Sequence, residues 1–274
     1  MEIKELYIDL LKKTLTDYHR IDFPEYLPID NLNYSWKIRL MKYTNKYLKK
    51  RNFSICSKYF FKPTDRLDGR DWPSFAETMI GIRRLDNIEF CIDEIIKNDI
   101  HGDLIETGVW RGGATIFMKA LLNVNNANDR SVWVADSFEG LPAPNDKEYP
   151  EDKGDVHFTK KELAISLETV QNNFRKYNLL DENVKFLKGW FKDTLPVALI
   201  EKLALLRLDG DMYESTMDGL VNLYPKLSPG GFIIIDDWNA VQGCKLAVMD
   251  YRLKHNINDE IIPIDWASVY WKKS

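Results

Sequence analysis

The chain has few cysteines and few histidines for its length. Its 274 residues include 3 Cys and 4 His, and the cysteines, Cys56, Cys91 and Cys244, stand far apart. They form no CxxC pair and no Cys/His spacing, which argues against a disulfide framework and against a zinc site. The three thiols are therefore expected to be ordinary buried or surface side chains.

Long apolar runs and an excess of one charge are also absent. The longest apolar candidates, such as FIII, have the length of a strand and not the roughly 20 residues of a membrane helix. The 38 Lys and Arg are balanced by 42 Asp and Glu, which leaves no basic field for nucleic acid. The charged residues near the N-terminus favour an amphipathic helix over a signal peptide. We expect a cytoplasmic protein that binds neither nucleic acid nor a membrane.

The N-terminal part is predicted to be a helical extension of one larger domain. A single α/β core can absorb about 200 residues, so we place a helical cap at residues 1–75 and the catalytic domain at residues 76–274. At the start of the cap, Leu6, Leu10 and Leu11 share one stripe of an amphipathic helix. This stripe is expected to pack on the domain or on a second subunit.

Two further helices are predicted before the catalytic core. Residues 36–53 combine many cations with aromatic side chains, and the apolar members recur at threes and fours. The expected buried stripe consists of Trp36, Leu40, Tyr43 and Tyr47, with the cations facing solvent. The next helix is expected to begin near Ser74 and to carry Thr78, Met79, Ile82 and Leu85.

Acidic residues end several apolar runs of strand length. They are Glu106 in DLIET, Asp136 in VWVAD, Asp209 after LALLRL, and Asp236 with Asp237 after FIII. The spacing leaves room for helical crossovers, as a parallel sheet requires. Open parallel sheets place their ligand crevice at the carboxyl ends of the strands. The sequence therefore predicts an α/β fold in which these carboxylates meet at one edge of the sheet.

A glycine-bearing turn follows the first of these strands. Glu106, Gly108 and Gly112 form the pattern E-x-G-x-x-x-G, which differs from the G-x-G-x-x-G that accommodates a dinucleotide pyrophosphate. An anion at Glu106 would repel phosphate and favour a cation, and S-adenosylmethionine carries a sulfonium and an ammonium. Asp136 lies 28 residues after Gly108, where a carboxylate can accept both ribose hydroxyls, although an N-cap or turn role is the alternative.

The strand NVKFLKGWF ends in residues that could form an aromatic wall for an adenine ring, although core packing explains Trp190 equally well. The candidate donor-binding residues are thus Glu106, Thr107, Gly108, Gly112, Asp136, Ser137, Gly189, Trp190 and Phe191. An NAD-dependent oxidoreductase is the alternative function, because it also uses a glycine turn and an acid after the second strand. The missing third glycine and the additional aspartates count against it.

Asp209, Asp236 and Asp237 would repel one another strongly at a shared edge. Shared protons with raised pKa values, or a divalent cation, can hold such a trio. Oxygen-only ligands favour Mg²⁺ over zinc. In this hypothesis Mg²⁺ binds an acceptor hydroxyl, Asp209 is the first candidate for the base that takes its proton, and His157 is the second. Asp211 is expected to support the metal ligands without being one.

The same segments closely resemble the macrocin O-methyltransferase family, whose members methylate deoxysugar hydroxyls on macrolides and the sugar of aminocoumarin antibiotics. The matching strings include RDWPSFAETMIGIRRLDN, DLIETGVWRGGATIFM, VWVADSFEGLP, GWFKDTLP, LRLDGDMYEST, YPKLSPGGFIIIDDW and DWASVYWKK. The resemblance implies a class I, Rossmann-like methyltransferase with a seven-stranded, mostly parallel sheet and helices on both faces. It also implies an N-terminal helical cap, a lid near residues 140–165 and a homodimer.

The resemblance carries roles over to individual residues. It implies that Asp209, Asp236 and Asp237 bind Mg²⁺, that Asp136 and the turn from Glu106 to Gly112 hold S-adenosylmethionine, that Asp209 is the base, and that Met79 lines the pocket between donor and acceptor. The expected partner is a small-molecule glycoside, either a natural-product deoxysugar or another saccharide. The segments that face the acceptor match the family weakly, so the identity of the sugar stays open.

Overall fold

A seven-stranded sheet forms the centre of the computed structural model, which describes residues 2–31 and 36–274. The strands are β1 (Glu25–Pro28), β2 (Cys56–Tyr59), β3 (Asp103–Thr107), β4 (Val132–Asp136), β5 (Val184–Lys188), β6 (Leu203–Leu208), β7 (Leu227–Ile235), β8 (Ile262–Pro263) and β9 (Val269–Lys272). The large sheet has the order β5-β4-β3-β6-β7-β9-β8, in which β3 to β7 run parallel and β9 pairs antiparallel with β7 and β8. Strands β1 and β2 form a separate antiparallel pair. The predicted mostly parallel, seven-stranded α/β fold is confirmed.

Helices cover both faces of this sheet. They are α1 (Ile3–Leu15), α2 (Trp36–Lys49), α3 (Pro63–Leu67), α4 (Ile82–Lys97), α5 (Gly113–Val124), α6 (Leu167–Lys176), α7 (Phe191–Thr194), α8 (Tyr213–Leu223) and α9 (Gln242–Lys254). One apolar cluster joins α1, α4 and α5 to one face, and a second joins α8 and α9 to the other. Over the described residues, no helix is both long and apolar enough to cross a membrane.

The parallel strands are buried on both faces. Leu104 and Ile105 are consecutive and fully buried, yet they belong to different clusters, because successive side chains of a strand point to opposite faces. A strand covered on both faces needs a nearly continuous apolar run, which explains why these segments were recognisable. Strand β6 is buried along its whole length, including Arg207. A buried arginine in this position requires acidic partners.

Helix α1 is amphipathic, but its buried stripe differs from the predicted one. Ile8, Leu11 and Leu15 pack into the cluster with α4 and α5, whereas Leu6 and Leu10 are 51% and 59% exposed. Both stripes have helical spacing, so periodicity alone could not choose between them. Contact with the rest of the domain favoured the stripe that ends at Leu15. The division between cap and catalytic domain at residue 75 stays a prediction.

Helix α2 forms where predicted, but burial of its aromatic stripe within this chain is wrong. The exposed fractions are 72% for Trp36, 65% for Leu40, 82% for Tyr43 and 58% for Tyr47. The buried side chain is Asn45, which accepts the backbone N–H of Ile55 at 2.6 Å and donates to Asp30 at 3.0 Å. The helix is therefore attached to its neighbours through polar contacts.

The helix predicted from near Ser74 begins later than expected. Helix α4 starts at Ile82, and the residues between these two positions are not helical. In this stretch the carbonyl of Glu77 accepts the N–H of Gly113 at 2.9 Å, so its hydrogen bond goes to another element. Met79 therefore lies in a loop, and the prediction that a helix carries it is wrong.

Candidate functional site

A cavity of about 440 Å³ opens where β3, β4, β6 and β7 end. This volume lies within the range of small-molecule sites, roughly 300–1,000 Å³. The predicted site residues that line it are Met79, Glu106, Gly108, Asp136, Ser137, His157, Gly189, Trp190, Phe191, Asp209, Asp236 and Asp237. Two others, Thr107 and Gly112, are not part of the lining. Seven of the nine predicted donor residues therefore share one cavity with the three predicted metal ligands.

Packing of the turn itself requires glycine at two positions. Gly108 has a φ of +82°, and a Cβ there would overlap the carbonyl oxygen of Asp209. Gly112 has a φ of +85° at the N-cap of α5, and a Cβ there would lie 2.7 Å from Cγ1 of Val170. The carbonyl of buried Thr107 accepts the N–H of Asp209 at 2.9 Å. Thr107 and Gly112 thus shape the turn without contacting the cavity.

The Asp136 carboxylate organises the loop around it. Oδ2 accepts the N–H of Val109 at 2.8 Å, and Oδ1 accepts the N–H of Phe138 at 2.7 Å and lies 3.4 Å from the hydroxyl of Ser137. Burial raises the pKa of Asp136, and the backbone donors partly offset this effect. The carbonyl of Asp136 accepts the N–H of Gly189 at 2.9 Å. Each carboxylate oxygen has a second lone pair, so this turn role is compatible with ligand binding.

Trp190 and Phe191 differ in their surroundings. Phe191 packs against the apolar cluster that includes α8 and α9. Trp190 is the N-cap residue of α7, is half-buried and lines the cavity, and it joins neither apolar cluster of the described residues. Core packing therefore accounts for Phe191 better than for Trp190. Contact between Trp190 and an adenine ring stays a prediction.

Glu106 is buried, with one oxygen paired and one unpaired. Its Oε1 contacts Nη1 of Arg207, whereas its Oε2 has no hydrogen-bond partner among the described residues. Burial, together with the charges of Asp209 and Asp236, raises the pKa of Glu106 to about 8 despite the opposing effect of Arg207. A buried acceptor without a partner, on a residue that lines a cavity, can take a hydrogen bond from a ligand.

The three predicted metal ligands converge as expected. Oxygen atoms of Asp209, Asp236 and Asp237 all lie within 4.8 Å of one another. The fully buried guanidinium of Arg207 reaches Asp209 at 2.8 Å and also contacts Asp236, which Arg84 of α4 contacts from another direction. Neither arginine was predicted as a site residue from the sequence. The available signal for Arg207 was a cation inside the apolar run LALLRL, which can be buried only with acidic partners.

Asp211 lies beside this group. Its φ is +59°, and its N–H donates to Oδ2 of Asp237 at 3.1 Å. Burial raises the pKa of Asp211 to about 6. Burial, followed by the charges of Asp211 and Asp209, raises the pKa of Asp237 well above its usual range. The supporting role expected for Asp211 is compatible with this contact.

His157 reaches the cavity from the segment that follows β4. Its Nδ1 lies 2.7 Å from Oδ2 of Asp155, and 29% of the side chain is exposed. Asp152 fastens the same segment to α8, because its carboxylate accepts the N–H groups of Tyr213 at 2.6 Å and Glu214 at 3.0 Å. A carboxylate at a helix N-terminus is favourable. This attachment places His157 in the cavity wall, and its role as a base stays a prediction.

Two tryptophans that were not predicted as site residues also line the cavity. Trp72 and Trp266 line it and are 46% and 38% exposed. Nζ of Lys160 lies 5.1 Å from the ring centroid of Trp72. Neither tryptophan lies at the end of a parallel strand. They could not be predicted from strand ends, as the carboxylates were.

The raised pKa values predict how the stability of the metal-free protein depends on pH. A carboxyl whose pKa is higher in the folded protein contributes stability below its unfolded pKa, and this contribution is lost as pH rises through the folded value. For Asp209 at about 7 and Glu106 at about 8, the loss extends from about pH 4 to about pH 8. We expect Tm in EDTA to fall across the upper half of this range. A Tm that rises there in thermal unfolding experiments would contradict the prediction.

Comparisons with known proteins show the family to which the chain belongs. Residues 4–273 match the family Macrocin-O-methyltransferase (TylF). The chain is 55% identical over 210 residues, 76% of this chain and 80% of the relative, to demethyldecarbamoylnovobiocin O-methyltransferase of Streptomyces niveus. It is 44% identical over 272 residues, 99% of this chain and 94% of the relative, to 8-demethyl-8-(2,3-dimethoxy-alpha-L-rhamnosyl)-tetracenomycin-C 4′-O-methyltransferase of Streptomyces olivaceus.

The fold is also similar to those of solved methyltransferases. The O-methyltransferase NovP superposes with a TM-score of 0.84 at 44% identity, over 99% of each chain. The calicheamicin methyltransferase CalS11 shares the fold at 19% identity, with a TM-score of 0.58 over 88% of this chain and 94% of that one. Methyl transfer is thereby favoured over the NAD-dependent alternative. The chain is an O-methyltransferase and belongs to the macrocin O-methyltransferase family.

Proposed function

We propose that this enzyme transfers a methyl group from S-adenosylmethionine to a sugar hydroxyl of a glycosylated natural product, with Mg²⁺ held by three aspartates. The observation that carries the proposal is that one cavity contains both halves of the required site. Glu106 and Asp136 offer acceptors for the donor, and the cluster that includes Asp209 offers oxygen ligands for the cation. Their shared cavity supports direct transfer between two bound substrates.

The acceptor class is inferred from the relatives. The Streptomyces olivaceus protein is named for 4′-O-methylation of a rhamnosyl tetracenomycin compound. A relative from Micromonospora griseorubida, 42% identical over 273 residues, 98% of this chain and 97% of the relative, is named mycinamicin III 3″-O-methyltransferase. The exposed rings of Trp72 and Trp266 in the cavity wall would suit the apolar face of a sugar, and the carboxylates would suit its hydroxyls. We therefore propose a small-molecule glycoside as the partner.

Donor binding is assigned to the half of the cavity formed by β3 and β4. The unpaired Oε2 of buried Glu106 would face a cationic group of the donor, whose charge would favour the ionised carboxylate over the neutral form that the raised pKa of about 8 otherwise favours at neutral pH. Asp136 retains lone pairs for ribose hydroxyls. The half-buried ring of Trp190 lines the cavity and would stack on the adenine. When bound, S-adenosylmethionine supplies an electrophilic methyl group on a cationic sulfur. The carboxylates make positive charge favourable in this part of the cavity.

The three aspartates fit a hard divalent cation. They offer oxygen atoms only, which suits Mg²⁺ better than zinc. Oδ2 of Asp209 contacts Arg207, and Oδ2 of Asp237 accepts a backbone N–H. In each residue, Oδ1 is therefore the oxygen proposed to bind the cation. Asp236 would be the third ligand. When bound, Mg²⁺ supplies charge that stabilises a developing oxyanion on the acceptor.

Asp209 is the proposed base. Arg207 holds its Oδ2 at 2.8 Å, so Oδ1 would both face the cation and accept the proton of the acceptor hydroxyl, with one lone pair for each. Without the cation, burial, followed by the charge of Asp236, raises the pKa of Asp209 to about 7. A bound cation would lower this pKa and keep the carboxylate ionised, which is the form that accepts a proton. His157 is the second candidate. With its Nδ1 directed at Asp155, the atom left to accept a proton is Nε2.

The exposed apolar side chains near the N-terminus support the homodimer that the family resemblance implies. Ile3, Leu6 and Leu10 of α1 are 89%, 51% and 59% exposed, and Trp36 and Tyr43 of α2 are 72% and 82% exposed. On each helix these side chains share one face by their spacing, and exposed apolar patches are typical of interaction sites. Dimer formation itself stays a prediction.

The test of the proposed function combines donor binding with metal dependence. Titration calorimetry would measure binding of S-adenosylmethionine and its demethylated product. Transfer to a panel of glycosides would then be assayed with Mg²⁺ and with EDTA. Donor binding with Mg²⁺-dependent transfer is the expected result. Absence of donor binding would contradict the donor assignment, and transfer that resists EDTA would return the aspartates to a purely acid–base role.

Asp136→Ala is expected to weaken S-adenosylmethionine binding by about 10- to 150-fold, since one hydrogen bond to a charged group contributes about 1.5–3 kcal/mol. Calorimetry would measure the change. Asp136→Asn is the control for loop structure, because its amide oxygen can still accept a backbone N–H. Unaltered affinity in Asp136→Ala would mean that the ribose binds elsewhere.

A further inference from the structure

Arg84 connects the first turn of α4 to the aspartate cluster. Its Nη1 contacts Oδ2 of Asp236, and its Nε donates to Oδ2 of Asp265 at 2.7 Å. The side chain is 7% exposed, and its guanidinium carbon lies 5.8 Å from the ring centroid of Trp266. Arg84 therefore bridges two carboxylates, and its side chain is almost fully buried.

Asp236 is held by more groups than the other two aspartates of the cluster. Its Oδ1 contacts Arg207 and its Oδ2 contacts Arg84. The Ser268 hydroxyl donates to the Asp236 carbonyl at 2.6 Å and lies 3.3 Å from Oδ1. Among the described residues, the carboxylate of each of the other two aspartates has one hydrogen-bond donor, Arg207 for Asp209 and the N–H of Asp211 for Asp237. The orientation of the Asp236 carboxylate thus depends on its arginine partners.

Asp265 in turn fixes the orientation of Arg84. Its Oδ1 accepts the N–H groups of Ala267 and Ser268, both at 2.9 Å, and its Oδ2 is left for Arg84. The Asp265 side chain is 2% exposed. A planar guanidinium presents donors in a fixed fork and can address two carboxylates at once, whereas a lysine ammonium is a compact point charge. The direction of the Asp236 carboxylate is therefore set through Arg84 by Asp265.

We propose that Arg84, oriented by Asp265, is a positioning residue that holds Asp236 in the geometry needed to bind the metal. This inference rests on the proposed function, because it requires Asp236 to be a ligand. Mutation of a residue that orients a metal ligand, without binding the metal itself, typically lowers metal affinity or activity by about 10–100-fold. Arg207 also contacts Asp236, but it is fully buried and pairs with two further carboxylates, so its removal would leave several buried charges unpaired. Arg84 is the better residue to test.

Arg84→Lys keeps the charge and removes the fork. We expect Mn²⁺, used in place of Mg²⁺ because its free form is measurable by electron paramagnetic resonance, to bind about 10–100-fold more weakly. Affinity for S-adenosylmethionine, measured by calorimetry, should stay unchanged. Asp265→Asn is expected to shift Mn²⁺ affinity in the same direction. The matched control is Arg83→Lys, because Arg83 is 60% exposed on the same helix and pairs with Asp68 at 2.6 Å.

The outcomes separate a positioning role from a structural one. Unchanged Mn²⁺ affinity in folded Arg84→Lys would overturn the proposal, even if Tm were lower. If Arg84→Lys does not fold, the Mn²⁺ affinity of Asp265→Asn tests the proposal instead. This variant is expected to fold, because its amide oxygen can still accept the N–H groups of Ala267 and Ser268. Absence of Mn²⁺ binding to the wild-type protein is a different failure, since it removes the metal site itself and with it the role of Arg84.

Discussion

Asp237→Asn is expected to slow methyl transfer by about 100-fold or more, while affinity for S-adenosylmethionine stays intact. Mutation of a residue that only supports a metal ligand typically lowers metal affinity or activity by about 10–100-fold. Removal of a ligand itself should therefore lower activity by at least the upper end of that range. Among the described residues, no arginine forms a hydrogen bond or ion pair with Asp237, and the donor residues Glu106 and Asp136 lie on β3 and β4. The substitution should therefore remove a ligand without disturbing donor binding.

The measurement is the rate of transfer at saturating donor and increasing Mg²⁺, with donor affinity from calorimetry. Asp129→Asn is the matched control, because Asp129 is exposed and lies outside the cavity lining. Its rate should equal that of the wild-type enzyme. Wild-type turnover in Asp237→Asn would remove the metal from the mechanism.

Asp236→Asn is a less specific test of the same idea. Asp236 is the counter-charge of two buried arginines, Arg84 and Arg207. Breaking a buried ion pair by removing one partner costs about 3–5 kcal/mol. Its expected loss of methyl transfer therefore comes with a lower Tm, which Asp237→Asn should not show.

Gly108→Ala is expected to lower the free energy of unfolding by about 2–5 kcal/mol. A left-handed backbone conformation costs a residue with a side chain about 1–2 kcal/mol. In addition, the new Cβ would overlap the carbonyl oxygen of Asp209, which is a backbone atom, and overpacking of this kind costs about 1–3 kcal/mol. Because the strain shifts Asp209, methyl transfer should also fall in the fraction that folds.

Gly154→Ala separates the two contributions to this loss. Gly154 has a φ of +90°, but a Cβ there would have no atom within 4 Å. Only the conformational cost should appear, about 1–2 kcal/mol. Urea unfolding of both variants measures the difference. Equal losses would show that the close approach between Gly108 and Asp209 contributes nothing to stability.

The parallel strands could be predicted because their sequence requirement is local. Strands buried on both faces need short apolar runs, and DLIET, VWVAD, LALLRL and FIII are such runs. The edge at which Glu106, Asp136 and Asp209 meet followed from the same pattern, since parallel strands all end on one side. The number of strands in the sheet was implied by the family resemblance and not by these runs, and the order of the strands was not predicted.

Helix faces were predicted less well because helical periodicity offers several stripes. In α1, Leu15 is buried and Leu10 is exposed. In α2, the aromatic stripe that includes Tyr43 is exposed. Between Ser74 and Ile82 the expected helix is replaced by a loop. In each case the deciding contacts come from residues distant in sequence.

The sequence by itself determined the α/β class, the acids at the strand ends and the glycine turn, because strand burial and left-handed turns are read from neighbouring residues. Only the tertiary structure decided that Arg207 is shared among Glu106, Asp209 and Asp236, and that Arg84 reaches Asp236 from α4. Pairing of buried charges depends on which strands are neighbours in space. That information lies in the order of the sheet and in the packing of its helices.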